Sequence, residues 1–408
     1  MSTLMGAVEL LRGHGRLPAS GAVSLRGLFS LFHPNPPGST RALLGAMFGS
    51  VAERCPWAVI LCRFQGSPPD PSLEGPIEEF FRSAFTPGTG GLVEYWRDAS
   101  LGAIDISGSR VFGWLEVEIP RSKAGGNPKS VPSGPGRRGL IDYAVNALKR
   151  AEGEDALAGL LGPIAVYTQN WSKGDIPPDA DGGSPTWSPF WIDGSADAVG
   201  RSGRVCLTPP HNGNITAHEM GHIFGMNHDV GPNLMTSSDY SDPCCIMSQN
   251  GPFLHPRWQR AFGPALCLPH LLQSGWMYPR RVYYDDGGWL SQSNGITLPL
   301  APISRPIARA NLGLQLAFAR DSDRWDYYLE YVIPTDWNRG VPGSPYLLIR
   351  RIVSIPGTGD RPAYLGFVQV PATAGGVAEV VEPLGNVRFR AELTHLQGPI
   401  LKVSAKRL

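Results

Sequence analysis

The chain has 408 residues, of which 42% are hydrophobic and 17% charged, a composition typical of a globular protein with room for two or three domains. Lysine and arginine (36) nearly balance aspartate and glutamate (35), so the net charge of +1 indicates no basic surface for nucleic acid or an anionic membrane. No stretch approaches the roughly 20 apolar residues of a membrane span. We therefore expect no nucleic-acid partner and no membrane span, and we expect a monomer.

Residues 1–50 are predicted to be a lead-in or a pro-segment, and the sequence leaves both interpretations open. The first twenty residues do not have the pattern of a signal peptide, because Arg12 and His14 interrupt the apolar stretch. The six cysteines are too few for a disulfide scaffold in a chain of this length, and they do not fix the redox compartment.

Residues 51–280 alternate between short apolar runs and helical patterns, which predicts a layer of strands and helices. The runs predicted to be strands are "PWAVILCRF" (56–64), "AIDISGS", "RVFGWLEVEI", "PIAVYTQ" and "GRVCLTP". The predicted helices are "PIEEFFRSAF", "LVEYWRDAS" and "LIDYAVNALKRAE" (140–152). Polar stretches at 123–139 and from about 170 to 200 are predicted to be loops.

The character of the chain changes after about residue 280. Short runs such as "GITLPLA", "LGLQLAFA", "WDYYLEYVI" and "VRFRAEL" follow one another with turn residues between them. This pattern predicts that residues 281–408 form an all-β, sandwich-like domain. The whole chain is therefore expected to be α+β. A mixed twisted sheet and a helix that carries the active site should precede the β-rich part.

The segment "HEMGHIFGMNHD" (218–229) carries the strongest chemical signal, with three of the nine histidines. His218 and His222 are four residues apart, so on a helix they lie on one face and can reach the same metal ion. Glu219 points about 100° away from His218 around the helix. It is therefore placed as a general base for a metal-activated water rather than as a ligand, which is the arrangement of H-E-x-x-H.

Gly225 follows His222 by three residues, and glycine is the preferred residue where a helix ends in a left-handed conformation. The chain is expected to turn there and to bring His228 back as a third ligand. Three protein nitrogens with one open position are typical of a catalytic zinc ion. Thr216 and Glu219 also match a capping box, but Asn214 or an earlier residue is the better helix start.

This extended pattern resembles the zinc signature of the metzincin metalloproteases. "GGLVEYWRDASLGAIDISGS" with "VFGW" is similar to the N-terminal half of the immune inhibitor A-like secreted metalloproteases. "YYLEYVIPTDWNRGVPGSPYLLIRRI" is similar to the β-rich region that follows their catalytic domain. The resemblance covers roughly residues 56 to 350. It implies a zinc metalloprotease domain at 51–280, a protein or peptide substrate and an extracellular location.

The resemblance also implies a methionine turn beneath the zinc ion. Met247 in "CIMSQ" is the expected residue, and Met235 is a competitor that lies closer to His228. An ordinary core methionine is the alternative interpretation of Met247. Some metzincins have a tyrosine ligand two residues after the methionine, where this chain has Gln249. We therefore expect three protein ligands, a water and no tyrosine switch.

The implied reaction is peptide-bond hydrolysis by a zinc-activated water, with Glu219 as the general base that later protonates the leaving amine. Backbone amides of an edge strand near residues 203–207 are the expected additional oxyanion donors. The alternative function is a binding or targeting protein, in which the β-rich domain recognises a partner or surface and the zinc domain is a scaffold. A third interpretation is hydrolysis of a non-peptide amide.

The sequence leaves more than one interpretation for several other residues. Asp229 can support a ligand or can be a plain turn residue. Cys55 can cap the zinc ion as a thiolate, but a structural cysteine at the start of a strand is favoured. His211 and His255 are not predicted as ligands. A set of loop aspartates can bind Ca2+ but matches no EF-hand spacing, so a solvated loop is favoured: Asp175, Asp179, Asp181, Asp193 and Asp197.

Overall fold

A computed structural model describes most of the chain after its first fifty residues. The described residues are 52–121, 136–168, 194–231, 240–248, 251–306, 308, 310–320, 323–341, 343, 345–355, 359–371, 373–394 and 400–408.

Within these ranges the chain forms five α-helices and eighteen strands. The helices are Pro71–Ala84 (α1), Leu92–Ala99 (α2), Gly136–Glu152 (α3), Gly213–Ile223 (α4) and Leu268–Gln273 (α5). The strands before residue 280 are Glu53–Arg54 (β1), Ala58–Phe64 (β2), Ile104–Asp105 (β3), Arg110–Val117 (β4), Pro163–Tyr167 (β5), Gly194–Ala196 (β6), Val205–Leu207 (β7), Phe253–Leu254 (β8) and Ala261–Phe262 (β9). The later strands are Val282–Asp285 (β10), Ile296–Leu300 (β11), Gly313–Arg320 (β12), Asp323–Val332 (β13), Tyr346–Ile355 (β14), Gly359–Gln369 (β15), Val377–Val381 (β16), Val387–Leu393 (β17) and Leu401–Arg407 (β18). The predicted α+β class is confirmed.

A five-stranded sheet in the order β4-β2-β5-β7-β6 organises the first half of the chain. Strands β4, β2, β5 and β7 run parallel, and β6 pairs antiparallel with β7 at the edge. Side chains of β2 alternate between two cores because successive residues of a strand point to opposite faces. Ala58, Ile60 and Cys62 pack towards α3, whereas Val59 and Leu61 pack into the core that α1, α2 and α4 share.

The predicted boundaries of two loops are wrong. Helix α3 begins at Gly136, inside the stretch that was assigned to a loop, although the rest of that helix agrees with the predicted range 140–152. Strand β6 lies within the second predicted loop. It is only three residues long and has no alternating apolar pattern, so its position is decided by pairing with β7 rather than by a local signal.

Two further sheets contain all the strands described after residue 282, in the orders β10-β12-β13-β14-β15 and β11-β18-β17-β16. Their inner residues share one apolar core. The larger core of the first half also includes Leu312, Tyr328 and Trp337, so the two halves of the chain pack directly against each other. No helix among the described residues is both long and apolar enough to cross a membrane.

A buried ion cluster joins these halves. Arg350 on β14 donates to Asp242 through Nε at 2.5 Å and through Nη2 at 3.0 Å, and its Nη1 pairs with Glu330 on β13. All three side chains are at most 1% exposed. Glu330 also accepts the backbone N–H of Leu268 at the start of α5. Fully buried charges are tolerated only when they are paired, so the cluster fixes how these segments meet.

We expect the substitution Arg350→Ala to lower the free energy of unfolding by about 3 to 5 kcal/mol, because it leaves two buried carboxylates uncompensated. Urea unfolding followed by circular dichroism measures the change. The matched control is Arg388→Ala, which removes an exposed arginine 3.8 Å from Glu379 and should cost less than about 1 kcal/mol. Equal losses in the two variants would contradict the role assigned to the buried cluster.

Candidate metal centre

Helix α4 carries the first two candidate ligands and is buried along its whole length. Asn212 is its N-cap, and the hydroxyl of Thr216 donates to the Asn212 carbonyl at 2.8 Å. The start of the helix before Asn214 is therefore confirmed, and Thr216 and Glu219 do not form a capping box. Asn214 donates from its side chain to the Gly263 carbonyl at 2.5 Å, which fixes the helix against the β9 segment.

The predicted turn at the end of α4 is present. Gly225 has φ +92°, and Phe224 caps the helix. The Gly225 N–H donates to the His222 carbonyl at 2.9 Å, and the Met226 N–H donates to the Gly221 carbonyl at 3.1 Å. These two bonds are those of a Schellman motif, which uses a left-handed residue to satisfy the last carbonyls of a helix. The chain reverses there and returns towards the ring of His222.

The structure brings the three predicted histidines together. His218, His222 and His228 each offer one ring nitrogen, and these atoms all lie within 4.8 Å of one another. The Nε2 atoms of His222 and His228 are 3.0 Å apart. His218 and His222 are buried, and His228 is half-buried. One ion can therefore be reached by all three rings from one side.

Backbone carbonyls orient the two helical imidazoles. His218 Nδ1 donates to the Ile246 carbonyl at 2.9 Å, and His222 Nδ1 donates to the Met226 carbonyl at 2.8 Å. These bonds place the proton on Nδ1 and leave the lone pair on Nε2, as in metal-binding histidines. His218 Nε2 is buried and has no hydrogen-bond partner among the described residues, although such atoms are normally paired.

The protonation state of the rings suits a metal ion. Burial lowers the pKa of His222 to about 4 and lowers the pKa of His218 well below its ordinary value, and neighbouring imidazoles act in the same direction. Both rings are therefore neutral near pH 7 and offer lone pairs. Three imidazole nitrogens, one of them otherwise without a partner among the described residues, fit a metal ion such as Zn2+.

Met247 packs against α4. It is fully buried, and a Cβ added at Gly221 would stand 2.5 Å from its sulfur, so helix and methionine are in close contact. The preceding residue, Ile246, supplies the carbonyl that orients His218. Met247 therefore packs closely against α4, and glycine at position 221 makes the approach possible. Its role as a methionine turn stays a prediction.

Glu219 is 5% exposed and lies on the same helix. Its Oε2 accepts the backbone N–H of Ala196, on β6, at 2.6 Å. The edge strand beside the site is therefore β6, whereas β7 is paired on both sides by β5 and β6. The expectation that the edge strand lies near residues 203–207 is wrong for this reason.

Asp229 is a supporting residue rather than a plain turn residue. It is fully buried, its Oδ1 lies 2.8 Å from His270 Nε2, and its Oδ2 accepts from the Ser248 hydroxyl at 3.4 Å. It therefore connects the residue after His228 to the segment of Met247. The β-rich part also holds this stretch, because Arg361 donates to the His228 carbonyl at 2.9 Å.

The remaining candidates lie apart from the three histidines. Cys55 is buried in the apolar core before β2, which confirms its structural assignment. His211 is buried, and His255 packs on Trp258 at 4.3 Å between ring centroids. Asp197 pairs with Arg204 at 3.0 Å. The other predicted positions lie outside the described residues: Met235, Gln249, Asp175, Asp179, Asp181 and Asp193.

Tyr240 is a residue that the sequence did not single out. Its hydroxyl lies 3.2 Å from His228 Nε2, and its backbone has φ +71°, which is uncommon for a residue with a side chain. Tyr240 lies seven residues before Met247 and outside the histidine segment 218–229, so the spacing of that segment does not predict it. Its N–H bonds to the Asp229 carbonyl at 3.2 Å, and this contact decides its position.

No protein-family model matches the chain, and no curated protein matches it.

Replacing Gly225 by alanine should lower the free energy of unfolding by about 1 to 2 kcal/mol, because φ +92° is strained for a residue with a Cβ. It should also weaken zinc binding, since His228 depends on that turn. Chemical unfolding and a competitive zinc titration measure the two effects. Gly113→Ala is the control: it has open space and an ordinary φ, so a change within about 0.5 kcal/mol is expected. If Gly225→Ala leaves both quantities unchanged, the turn is not required.

Metal-free protein should lose stability as the pH falls from about 6.5 towards 4. In that window unfolded His222 takes up a proton that the folded ring, with its pKa of about 4, does not bind. His222 alone should lower the free energy of unfolding by about 2 kcal/mol between pH 6.5 and 5. Urea unfolding of chelator-treated protein measures this, and the variant His222→Gln should show a smaller loss. An equal loss in that variant would exclude His222 as the cause.

Proposed function

We propose that the chain is a zinc-dependent endopeptidase of the metzincin type, with His218, His222 and His228 as zinc ligands and Glu219 as the general base. The observation that carries the proposal is the convergence of three imidazoles, two of them held through Nδ1, beside a carboxylate on the same helix. Three protein ligands leave a position for water, as in catalytic rather than structural zinc sites. Residues 51–280 would form the catalytic domain and residues 281–408 a β-rich domain behind it.

Zinc bound there would polarise the scissile carbonyl and make a water molecule acidic at neutral pH. Glu219 would accept the proton of the attacking water and deliver it to the leaving amine. The N–H of Ala196 supports this role, because its hydrogen bond of 2.6 Å holds the carboxylate in one orientation. Proton transfer is fastest when the base is held at a fixed place rather than sampling rotamers.

The edge of the central sheet suits an extended peptide. Strand β6 has one neighbour among the described strands, β7, and its residue Ala196 contacts the proposed base. A peptide that adds to such an edge is held through its backbone, so cleavage can occur at many sequences. The Tyr240 hydroxyl beside His228 can donate a hydrogen bond to a substrate oxygen during the reaction.

Changing Glu219 to glutamine should leave the zinc content equal to that of the wild type and lower peptide cleavage by about two to four orders of magnitude. Metal analysis and digestion of a mixed peptide library, read by mass spectrometry, test both statements. Glu78→Gln makes the same change of charge on the exposed face of α1 and should leave both quantities unchanged.

Two outcomes would contradict the proposal. Cleavage by the Glu219→Gln variant at the wild-type rate would show that Glu219 is not the base. Failure of zinc-loaded wild-type protein to cleave any peptide bond in the library would exclude endopeptidase activity.

A further inference from the structure

A second group of metal-binding side chains lies inside the protein. Asp229, Cys245, Cys267 and His270 each offer one ligand atom, and these four atoms all lie within 4.8 Å of one another. All four residues are at most 1% exposed. The group shares no residue with the histidine centre, although Asp229 follows His228 directly.

Ordinary core packing explains this group poorly. Aspartate is almost never fully buried unless its charge is compensated. The contacts of Asp229 are His270, the thiol of Cys245 and the Ser248 hydroxyl, and the nearby charge of Arg350 also acts to lower the pKa of its carboxyl. His270 uses Nε2 towards Asp229, and its Nδ1 is buried without a hydrogen-bond partner among the described residues. Two thiols, a carboxylate and an imidazole whose Nδ1 has no partner among the described residues therefore face one another in a dry interior, which is a donor set typical of a metal site.

The donor set and the spacing suit zinc. Zn2+ binds sulfur at about 2.3 Å and nitrogen or oxygen at about 2.0 to 2.2 Å, so tetrahedral ligand atoms stand about 3.3 to 3.8 Å apart. Because the ligand atoms lie within 4.8 Å of one another, they would have to approach by no more than about 1 to 1.5 Å. The pair His270 Nε2 and Asp229 Oδ1, now 2.8 Å apart, would have to open by about half an ångström if both atoms were ligands.

We propose that Asp229, Cys245, Cys267 and His270 bind a second zinc ion, in a closed structural site. Four protein ligands and complete burial leave no position for water or substrate, which distinguishes structural from catalytic zinc. On binding, each thiol loses its proton to solvent as the sulfur–zinc bond forms, and no oxidation or reduction is involved. Burial raises the pKa of Cys267 to about 11, so without the metal this thiol stays protonated.

The site would connect three segments of the chain through one ion. Asp229 follows the third histidine, Cys245 precedes Met247 by two residues, and Cys267 and His270 lie at the start of α5 and within it. Helix α5 in turn contacts β13 and β14 of the β-rich part. An ion there would fix the floor of the histidine centre to the second half of the chain. This inference does not depend on the proposed peptidase activity.

A disulfide between Cys245 and Cys267 is the competing explanation, because the two thiols also contact each other. It would use two of the four side chains and would not compensate Asp229. The two explanations differ in metal content and in thiol chemistry, so one set of measurements separates them.

The test uses full-length protein purified with zinc, together with a cobalt-substituted sample. We expect about two metal ions per chain and a thiolate-to-cobalt charge-transfer absorption, which a site made only of nitrogen ligands cannot give. The double variant Cys245→Ala/Cys267→Ala should lose this absorption and one of the two ions. Cys244→Ala, which changes a buried neighbour outside the group, should keep both.

Should the double variant fail to fold, X-ray absorption at the zinc edge of the wild-type protein decides the question alone, since sulfur must appear among the zinc ligands. A single ion per chain with no sulfur ligand would overturn the proposal. So would a peptide map in which Cys245 and Cys267 are joined by a disulfide. Neither result bears on Glu219, so failure of this proposal and failure of the proposed activity are distinguishable.

Discussion

The three imidazoles of the candidate centre meet because the backbone reverses at Gly225. A helix offers only two ligands on one face at the spacing of His218 and His222, so a third nitrogen has to come from chain that has left the helix. The left-handed glycine ends α4 with its last carbonyls satisfied and sends the chain back at once. The position of His228, and with it the metal-binding geometry, depends on this one backbone conformation.

Support for the centre comes from the second half of the chain as well as from the first. Arg361 on β15 holds the carbonyl of His228, and the buried Arg350 pairs with Asp242 in the segment that leads to Met247. The β-rich part is thus in contact with His228 and with the segment that follows it. We infer that the β-rich part stabilises the histidine centre. An independent targeting domain would not need these contacts.

The proposed chemistry depends on how the histidine rings and the Glu219 carboxylate are oriented. Backbone carbonyls fix the tautomers of His218 and His222, and the amide of Ala196 fixes the carboxylate of Glu219. Each of these groups is held before any substrate arrives, which lowers the reorganisation required in the transition state. The same dense burial places a second set of donors around Asp229, which we propose to bind a second zinc ion.

Local sequence was sufficient for features that depend on spacing along the chain. The α+β class, the strands β2, β4 and β5, the helix with its two histidines and the turn at Gly225 all follow from periodicity and backbone preference. Tertiary structure alone decided the features that depend on contacts between distant segments: the short edge strand β6 beside Glu219, the place of Tyr240 beside His228, and the meeting of Asp229 with His270. Such contacts leave no periodic trace in the sequence, because each partner needs only to be compatible with its own local segment, and the packing of the whole chain brings them together.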